Sequence, residues 1–382
     1  MKAYLDNNAT TMIAPEVLEE MMPFLTHRYG NPSSFHSFGG EVMKEVEKAR
    51  SRVARLIGAE PEEVFFTSGG TESDNTALRG GCSINPLRSG LLVSMVEHPA
   101  VLNTAKKMMR DGTPVGFVPV GGDGLPDMAA LAEMLVPETG LVSIMTANNE
   151  TGTKFPLAEV AEIVHPSGVL LHTDAVQAPG KMELDVKAMN VDMLSLSAHK
   201  FHGPKGVGIL YVRRGVDLPP FIVGGHQESG MRAGTYNVPG IVGMGKAAEM
   251  ALEELSAVAG NMKAARDRLE EGILESCPGA SVVARDSDRL PNTCTVLFKG
   301  VESEAVMTIL DMEGICVSSG SACSTGEIAP SHVLTAMGID PMTANTAIRF
   351  SLSRYTSGEE IDVLLDILPG IIEKLRRISP YA

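Results

Sequence analysis

The chain has 382 residues, of which 44% are hydrophobic, and a formal net charge of −15 at pH 7. A chain of this length can bury a large core and fits two domains better than one. The negative charge argues against a nucleic-acid-binding surface, and no apolar run reaches the roughly 20 residues that span a bilayer. The N-terminus does not resemble a signal peptide, so we expect a cytoplasmic protein without nucleic-acid or membrane partners.

Seven short apolar runs predict β-strands, and segments between most of them predict helices. In chain order the strands are expected at 64–66, 90–96, 115–119, 141–146, 169–172, 193–197 and 208–212. The helices are expected at 16–25, 41–56, 125–135 and 157–164. This alternation predicts an α/β fold with a mainly parallel sheet, helices on both faces and ligands at the carboxyl ends of the strands. A long-helical, charged stretch at 239–277 then leads into a second, α+β domain.

Polar motifs follow two of the early strands. A glycine-rich turn after 64–66 carries Ser68 and Thr71 and opens a predicted helix. Its N–H groups and hydroxyls could cradle a phosphate, although it lacks the Gly-Lys-Ser/Thr ending of a P-loop. Asp174 comes just after the strand at 169–172. An acid there could keep a pyridine nitrogen protonated, as the chemistry of pyridoxal 5'-phosphate (PLP) requires.

Lys200 follows the strand at 193–197, beside His199 and just before Gly203 and Pro204. Apolar packing penalises the ammonium form and lowers the pKa of a lysine toward the amine that a Schiff base needs. Taken alone, a surface lysine is the commoner outcome. A phosphate cradle, an acid and a lysine in this order, each after its own strand, predict a PLP site.

Further motifs run in order along nearly the whole chain, at 4–11, 30–36, 66–75, 97–98, 148–152, 171–177, 195–206, 230–235, 318–323 and 348–352. On these motifs the chain resembles the cysteine desulfurases of the NifS/IscS group, within the class V aminotransferases and the fold-type I PLP enzymes. The resemblance implies a seven-stranded, mainly parallel sheet in a large PLP-binding domain, 15–255, and a small α+β domain, 256–382. It also implies an N-terminal arm, 1–14, that packs on the small domain.

The resemblance assigns roles around the cofactor ring. Lys200 would hold PLP covalently and then move the α-proton of the substrate. Asp174 would face the pyridinium nitrogen, and Gln177 would donate to the phenolic oxygen. His98 would stack on the ring and assist proton transfer, although a lone histidine is more often structural.

The same resemblance assigns the phosphate site. The residues that would hold the phosphate are Gly70, Thr71, Ser197 and His199. Thr235 would reach the phosphate of the neighbouring subunit, which implies that the active unit is a homodimer.

Arg349 and Asn149 are the candidate substrate-binding residues. The planar guanidinium of Arg349 suits bidentate binding of an amino-acid carboxylate, and the alternative is a structural ion pair. Asn149 would hydrogen-bond near the cofactor oxygen and the substrate carboxylate. Asn7 and Asn8 differ from the pair that many relatives carry, and we assign them no role.

The cysteines are Cys82, Cys277, Cys294, Cys316 and Cys323. Their odd number and the lack of a C-x-x-C pair predict neither a disulfide framework nor a metal site. Cys323 lies among Ser, Gly and Ala, which leave a thiol accessible, whereas Cys316 lies between Ile315 and Val317 and is expected to be buried. As a thiolate, Cys323 would attack the sulfur of L-cysteine on the cofactor, release L-alanine and keep a persulfide.

The identity of the sulfur acceptor stays open at this point. An iron–sulfur scaffold protein, on which Cys323 could transiently ligate a cluster, is one candidate, and transfer-RNA and cofactor pathways are others. The chain stops at residue 382, before the tail that helps housekeeping relatives to dock a scaffold. Competing functions are an aminotransferase or selenocysteine lyase on the same fold, and a catalytically silent subunit.

Overall fold

The computed structural model describes residues 2–319 and 330–379. Its strands are β1 Ala3–Tyr4, β2 Val64–Thr67, β3 Gly90–Ser94, β4 Val115–Val118, β5 Thr139–Ser143, β6 Leu170–Asp174, β7 Met193–Ser197, β8 Gly208–Val212, β9 Ala280–Val282, β10 Thr293–Phe298, β11 Ile315–Cys316, β12 Ser318–Ser319 and β13 Ala347–Ser351. Its α-helices are α1 Pro15–Thr26, α2 Ser37–Ile57, α3 Gly70–Ser83, α4 Pro99–Arg110, α5 Met128–Met134, α6 Leu157–Val164, α7 Val238–Glu253, α8 Leu255–Ser276, α9 Ser303–Met312, α10 His332–Ala336, α11 Pro341–Ala344 and α12 Gly358–Ile378.

The larger unit is built on a seven-stranded sheet in the order β2-β8-β7-β6-β5-β3-β4. Of these strands, β8 alone runs opposite to the other six, so the predicted mainly parallel sheet is confirmed. Strands β3, β7 and β8 are buried along their whole length. Burial on both faces is the consequence of helices that cover both sides of a parallel sheet.

Several elements differ in length from the prediction, among them helix α5 and strand β5. Helix α5 begins only at Met128, because the side chain of Asp127 caps it by accepting from the N–H groups of Ala129 and Ala130. Strand β5 pairs with β3 only as far as Ser143. Residues 144–146 were expected to continue the strand; Ile144 and Thr146 still donate to the β6 side, whereas the N–H of Met145 donates to the side chain of Glu97.

The smaller unit contains a four-stranded antiparallel sheet in the order β12-β13-β10-β9. Apolar side chains of this sheet pack with those of α8, α9 and α12 into a separate core, for example Leu269, Phe298, Phe350 and Leu364. Helices α7 and α8 occupy the segment for which the sequence predicts long helices. Across 2–319 and 330–379, no helix is long and apolar enough to cross a membrane.

The N-terminal segment runs from the smaller unit to the turn that carries Lys200. Strand β1 pairs in parallel with β11, and Asp6 forms a bridge with Ser351 of β13. Further along, the N–H of Thr11 donates to His199 O over 2.9 Å. Residues 7–10 therefore lie where both units meet.

Candidate active site

Lys200 ends a short 3-10 turn, Ala198–Lys200, directly after β7. Its Nζ donates to two backbone carbonyls of the N-terminal segment, Asn8 O at 2.6 Å and Ala9 O at 2.8 Å. Burial, with a further contribution from the charge of Arg349, lowers the pKa of Lys200 to about 8, against the opposing effect of Asp174. A larger share of neutral amine, the form that attacks a carbonyl, is therefore present near neutral pH.

Asn8 lies at the centre of this arrangement, which the sequence did not predict. Its Nδ2 donates to Thr293 Oγ1 at 2.8 Å and to Asn149 O at 3.0 Å, and its Oδ1 accepts from Asn292. Asn8 is 1% exposed. We assigned Asn8 no role from the sequence, and in the structure these bonds fix the carbonyl that accepts from Lys200.

Asp174 is the last residue of β6, and its Oδ1 accepts from the N–H of Val176 at 2.9 Å. Burial raises the pKa of this carboxyl above its usual value. Burial also raises the pKa of Glu97 to about 8, and it holds the pKa of Asp74 well above the usual range. Across the described chain, Glu97 Oε2 is buried without a hydrogen-bond partner. This buried acidic cluster fits a cationic ring, which a protonated pyridine would supply.

The β2–α3 turn brings the predicted phosphate-binding groups together. A Cβ atom on Gly70 would lie 2.8 Å from Val176 Cγ2 and 3.7 Å from Ser197 Cβ, so the start of α3 packs against the end of β7. The first N–H groups of a helix have no partner within the helix, and they favour an anion. Gly70 and Thr71, the first two residues of α3, thus lie at a helix N-terminus that packs on Ser197 through Gly70.

The other predicted cofactor residues lie as follows. Nδ1 of His199 is 3.1 Å from Thr10 Oγ1, and burial lowers the pKa of this imidazole to about 4. Thr235 is exposed. His98 caps α4, with Nδ1 accepting from the N–H of Ala100 at 3.1 Å. His98 is exposed as a residue, yet desolvation by the surrounding protein lowers the pKa of its imidazole, with Asp174 opposing this effect.

Arg349 lies in β13 with a side chain that is 2% exposed. Its Nη2 pairs with Asp6 Oδ1 at 2.8 Å, and its Nη1 donates to Asn149 O at 3.1 Å. Within residues 2–319 and 330–379, its Nε has no hydrogen-bond partner. The ion pair that we considered as the alternative to substrate binding is therefore formed, and it leaves donors of the guanidinium unused. Asn149 meets Arg349 through its backbone, and a role for its side chain stays a prediction.

Cys323 lies outside the described residues. Cys82, Cys277 and Cys294 are buried, and burial raises the pKa of the Cys82 thiol to about 12. Such thiols stay protonated and are poor nucleophiles. The expectation that Cys316 is buried was wrong: it is only half-buried, and among the described strands β11 pairs only with the two-residue β1.

The sequence family described as "Aminotransferase class-V" matches residues 3–364. The chain belongs to this class-V aminotransferase family. It is 52% identical to the cysteine desulfurase of Cereibacter sphaeroides over 382 residues, which cover 100% of this chain and 98% of that protein. The predicted resemblance to cysteine desulfurases is thereby confirmed.

Solved structures give the same result for this class-V aminotransferase. A NifS-like protein superposes with a TM-score of 0.92 at 42% identity, covering 98% of this chain and 100% of that one. The structure described as "SspA in complex with cysteine" superposes with a TM-score of 0.81 at 34% identity, covering 93% of this chain and 100% of that one. The family uses pyridoxal phosphate, and the buried acids, the α3 N-terminus and the low pKa of Lys200 all fit that cofactor.

Proposed function

We propose that this enzyme removes the sulfur of L-cysteine, releases L-alanine and takes the sulfur onto Cys323 as a persulfide. The observation that carries the proposal is the environment of Lys200, whose amine has its pKa lowered to about 8 close to the opposite charges of Arg349 and Asp174. Further support comes from the similarity to a cysteine desulfurase and to SspA, whose structure contains cysteine.

The residues around the cofactor have distinct tasks in the proposed reaction. When bound, PLP supplies an electron sink for the α-carbon of the substrate. Asp174 keeps the ring nitrogen protonated, and the N–H groups at Gly70 and Thr71 bind the phosphate with Ser197 and His199. Lys200 holds the cofactor and then takes the α-proton of L-cysteine. His98 passes protons at the open side of the site.

Substrate orientation follows from the buried arginine. Arg349 has donors free in addition to those that bind Asp6 and Asn149, so a carboxylate can add a second anionic partner. A charge-assisted, two-point contact fixes both the position and the plane of the carboxylate. We propose that the side chain of Asn149 contacts the same carboxylate.

Sulfur transfer balances without an external oxidant or reductant. The Cys323 thiolate attacks the sulfur of the substrate, a new S–S bond forms and the C–S bond breaks. The electron pair of the C–S bond passes to the carbon fragment, which takes up protons and leaves as alanine. Cys323 keeps the sulfur as a persulfide.

We further infer a homodimer, in which Thr235 contributes to the phosphate site of the partner subunit. The exposed position of Thr235 and the exposed side chains Phe221 and Val223 nearby in sequence support this inference. We place the reaction in the cytoplasm, with an acceptor that carries the sulfur into iron–sulfur clusters or another sulfur-containing cofactor.

Incubation of the purified enzyme with L-cysteine tests the proposal. We expect alanine to form, and mass spectrometry after a short pulse should find one added sulfur on the peptide that carries Cys323. Cys323→Ser should retain the cofactor absorbance and form almost no alanine, while Cys316→Ser, the matched control, should remain active. Added sulfur first on Cys316, or full turnover by Cys323→Ser, would exclude the mechanism.

A further inference from the structure

Lys181 is a buried lysine that none of the roles above uses. It is 7% exposed, and its Nζ donates to Gln177 Oε1 at 3.1 Å. Burial and the charges of Lys200 and Arg349 lower the pKa of Lys181 to about 7, and in the part of the chain that the structure describes no carboxylate is paired with it. A buried amine without a counter-ion is costly, so packing alone does not account for it.

Gln177 connects this lysine to the reactive one. Its Nε2 donates to Asn8 O at 3.0 Å, and Lys200 Nζ donates to the same carbonyl at 2.6 Å. A continuous line of hydrogen bonds therefore joins Lys181, Gln177, Asn8 O and Lys200. Gln177 and Asn8 are 6% and 1% exposed.

The chemistry of the two partners leaves Gln177 one orientation. A backbone carbonyl can only accept, so Asn8 O must meet the amide nitrogen, and the amide oxygen is left to accept from Lys181. Without Lys181, Oε1 would be a buried acceptor with no partner, and the amide would gain by moving. Among the described residues, the second N–H on Nε2 has no partner and can bind a ligand.

We propose that Lys181 is a positioning residue that holds the side-chain amide of Gln177, so that this second N–H binds the phenolic oxygen of PLP. The inference rests on the proposed role of Gln177. A hydrogen bond to the ionised phenolic oxygen stabilises that form. Loss of the bond therefore changes the visible absorbance of the cofactor as well as its affinity, which a merely structural lysine would not do.

The test compares holoenzyme variants by visible absorbance and by the dissociation constant of PLP. Lys181→Met keeps the length of the side chain but removes the donor. It should shift the absorbance maximum and raise the dissociation constant roughly tenfold, the size expected for one hydrogen bond to a charged group. Lys181→Arg keeps the donors and should retain the wild-type spectrum. Lys187→Met, at an exposed lysine, should change neither quantity.

A double-mutant cycle with Gln177→Ala separates the possible failures. In the Gln177→Ala background, Lys181→Met should change neither the absorbance nor the dissociation constant of PLP any further, because the amide through which Lys181 acts is gone. If Gln177→Ala alone leaves both quantities unchanged, the role of Gln177 is wrong. If Gln177→Ala changes them but Lys181→Met does not, or if the two effects add in full, only the role of Lys181 is wrong. Should Lys181→Met fail to fold, Lys181→Arg decides: an altered spectrum would contradict the proposal.

Discussion

At the residue scale, burial shifts the pKa values of several ionisable groups in the site. Glu97 and Asp174 have raised pKa values and Lys200 has a lowered one, and in each case burial is the largest cause. Groups shifted in this way cluster at functional sites, because proton transfer works best when pKa values lie near the operating pH. The apoprotein therefore carries an electrostatic cost that a bound pyridinium would relieve.

The buried carboxyl of Glu97 makes the stability of the apoprotein depend on pH. Burial raises its pKa from 4.5 in the unfolded chain to about 8 in the folded one. Between these values the folded state binds more protons, so this group makes stability fall as pH rises, by up to about 1.4 kcal/mol per pH unit. Glu97→Gln mimics the protonated form and should remove this part of the slope. The free energy of unfolding of the wild type and of Glu97→Gln is measured between pH 5 and 8. The variant should become more stable relative to the wild type as the pH rises. If the two free energies change with pH in parallel, the prediction is wrong.

The proposed role of Arg349 in binding the substrate can be tested by comparing a variant of Arg349 with a variant of its ion-pair partner, Asp6. Arg349→Lys keeps the charge but loses the planar fork, so KM for L-cysteine should rise about 10- to 100-fold, with cofactor binding retained. Asp6→Asn breaks the ion pair without removing the guanidinium and serves as the matched control. We expect it to lower stability and to affect KM much less than Arg349→Lys. Steady-state kinetics and thermal unfolding measure the two effects. If Asp6→Asn raises KM more than Arg349→Lys does, the role of Arg349 is structural.

At the element scale, the position of the helix termini decides where charge can be bound. Helix α3 starts at Gly70 after Gly69, whose φ of 152° is rarely adopted by residues with a side chain. This backbone, together with the tight contact to Val176, brings the helix N-terminus against Ser197. The phosphate site is therefore built from the ends of two elements that are distant in sequence.

Gly70→Ala tests this element. Its new methyl group would meet Val176 Cγ2 at 2.8 Å, so we expect the helix start to move and the dissociation constant of PLP to rise about tenfold or more. Val176→Ala in the same chain should restore part of the affinity. Gly40→Ala in α2 is the control, because nothing lies within 4 Å of its new methyl group. If Gly70→Ala binds the cofactor as well as the wild type, the close contact with Val176 does not position the phosphate site.

At the scale of the whole molecule, the reactive lysine depends on a segment that belongs to both units. Leu5 is buried in the core of the smaller unit, while the carbonyls of Asn8 and Ala9 accept from Lys200. Arg349, from the smaller sheet, pairs with Asp6 of the same segment. Packing of the smaller unit is thus coupled to the geometry around Lys200.

Leu5→Ala tests the coupling. A cavity at this fully buried site should cost about 2–5 kcal/mol in the free energy of unfolding. Leu310→Ala, in α9 of the same core, should cost a similar amount. We expect Leu5→Ala alone to weaken PLP binding measurably, because only its segment carries the carbonyls at Lys200. If Leu5→Ala and Leu310→Ala lose the same stability and bind PLP with the same affinity, the two units act independently.

The sequence alone predicted the seven strands of the larger sheet in chain order and the positions of Asp174 and Lys200 near the ends of two of them. Apolar periodicity and turn residues are local properties, so they predict elements such as β7 directly. Other features were decided only by the tertiary structure. Asn8 and Lys200 are 192 residues apart, and Asp6 and Arg349 are 343 apart. The lowered pKa of Lys181 likewise depends on what packs around it. Contacts and desolvation belong to the folded chain, because they arise only when distant segments exclude water together.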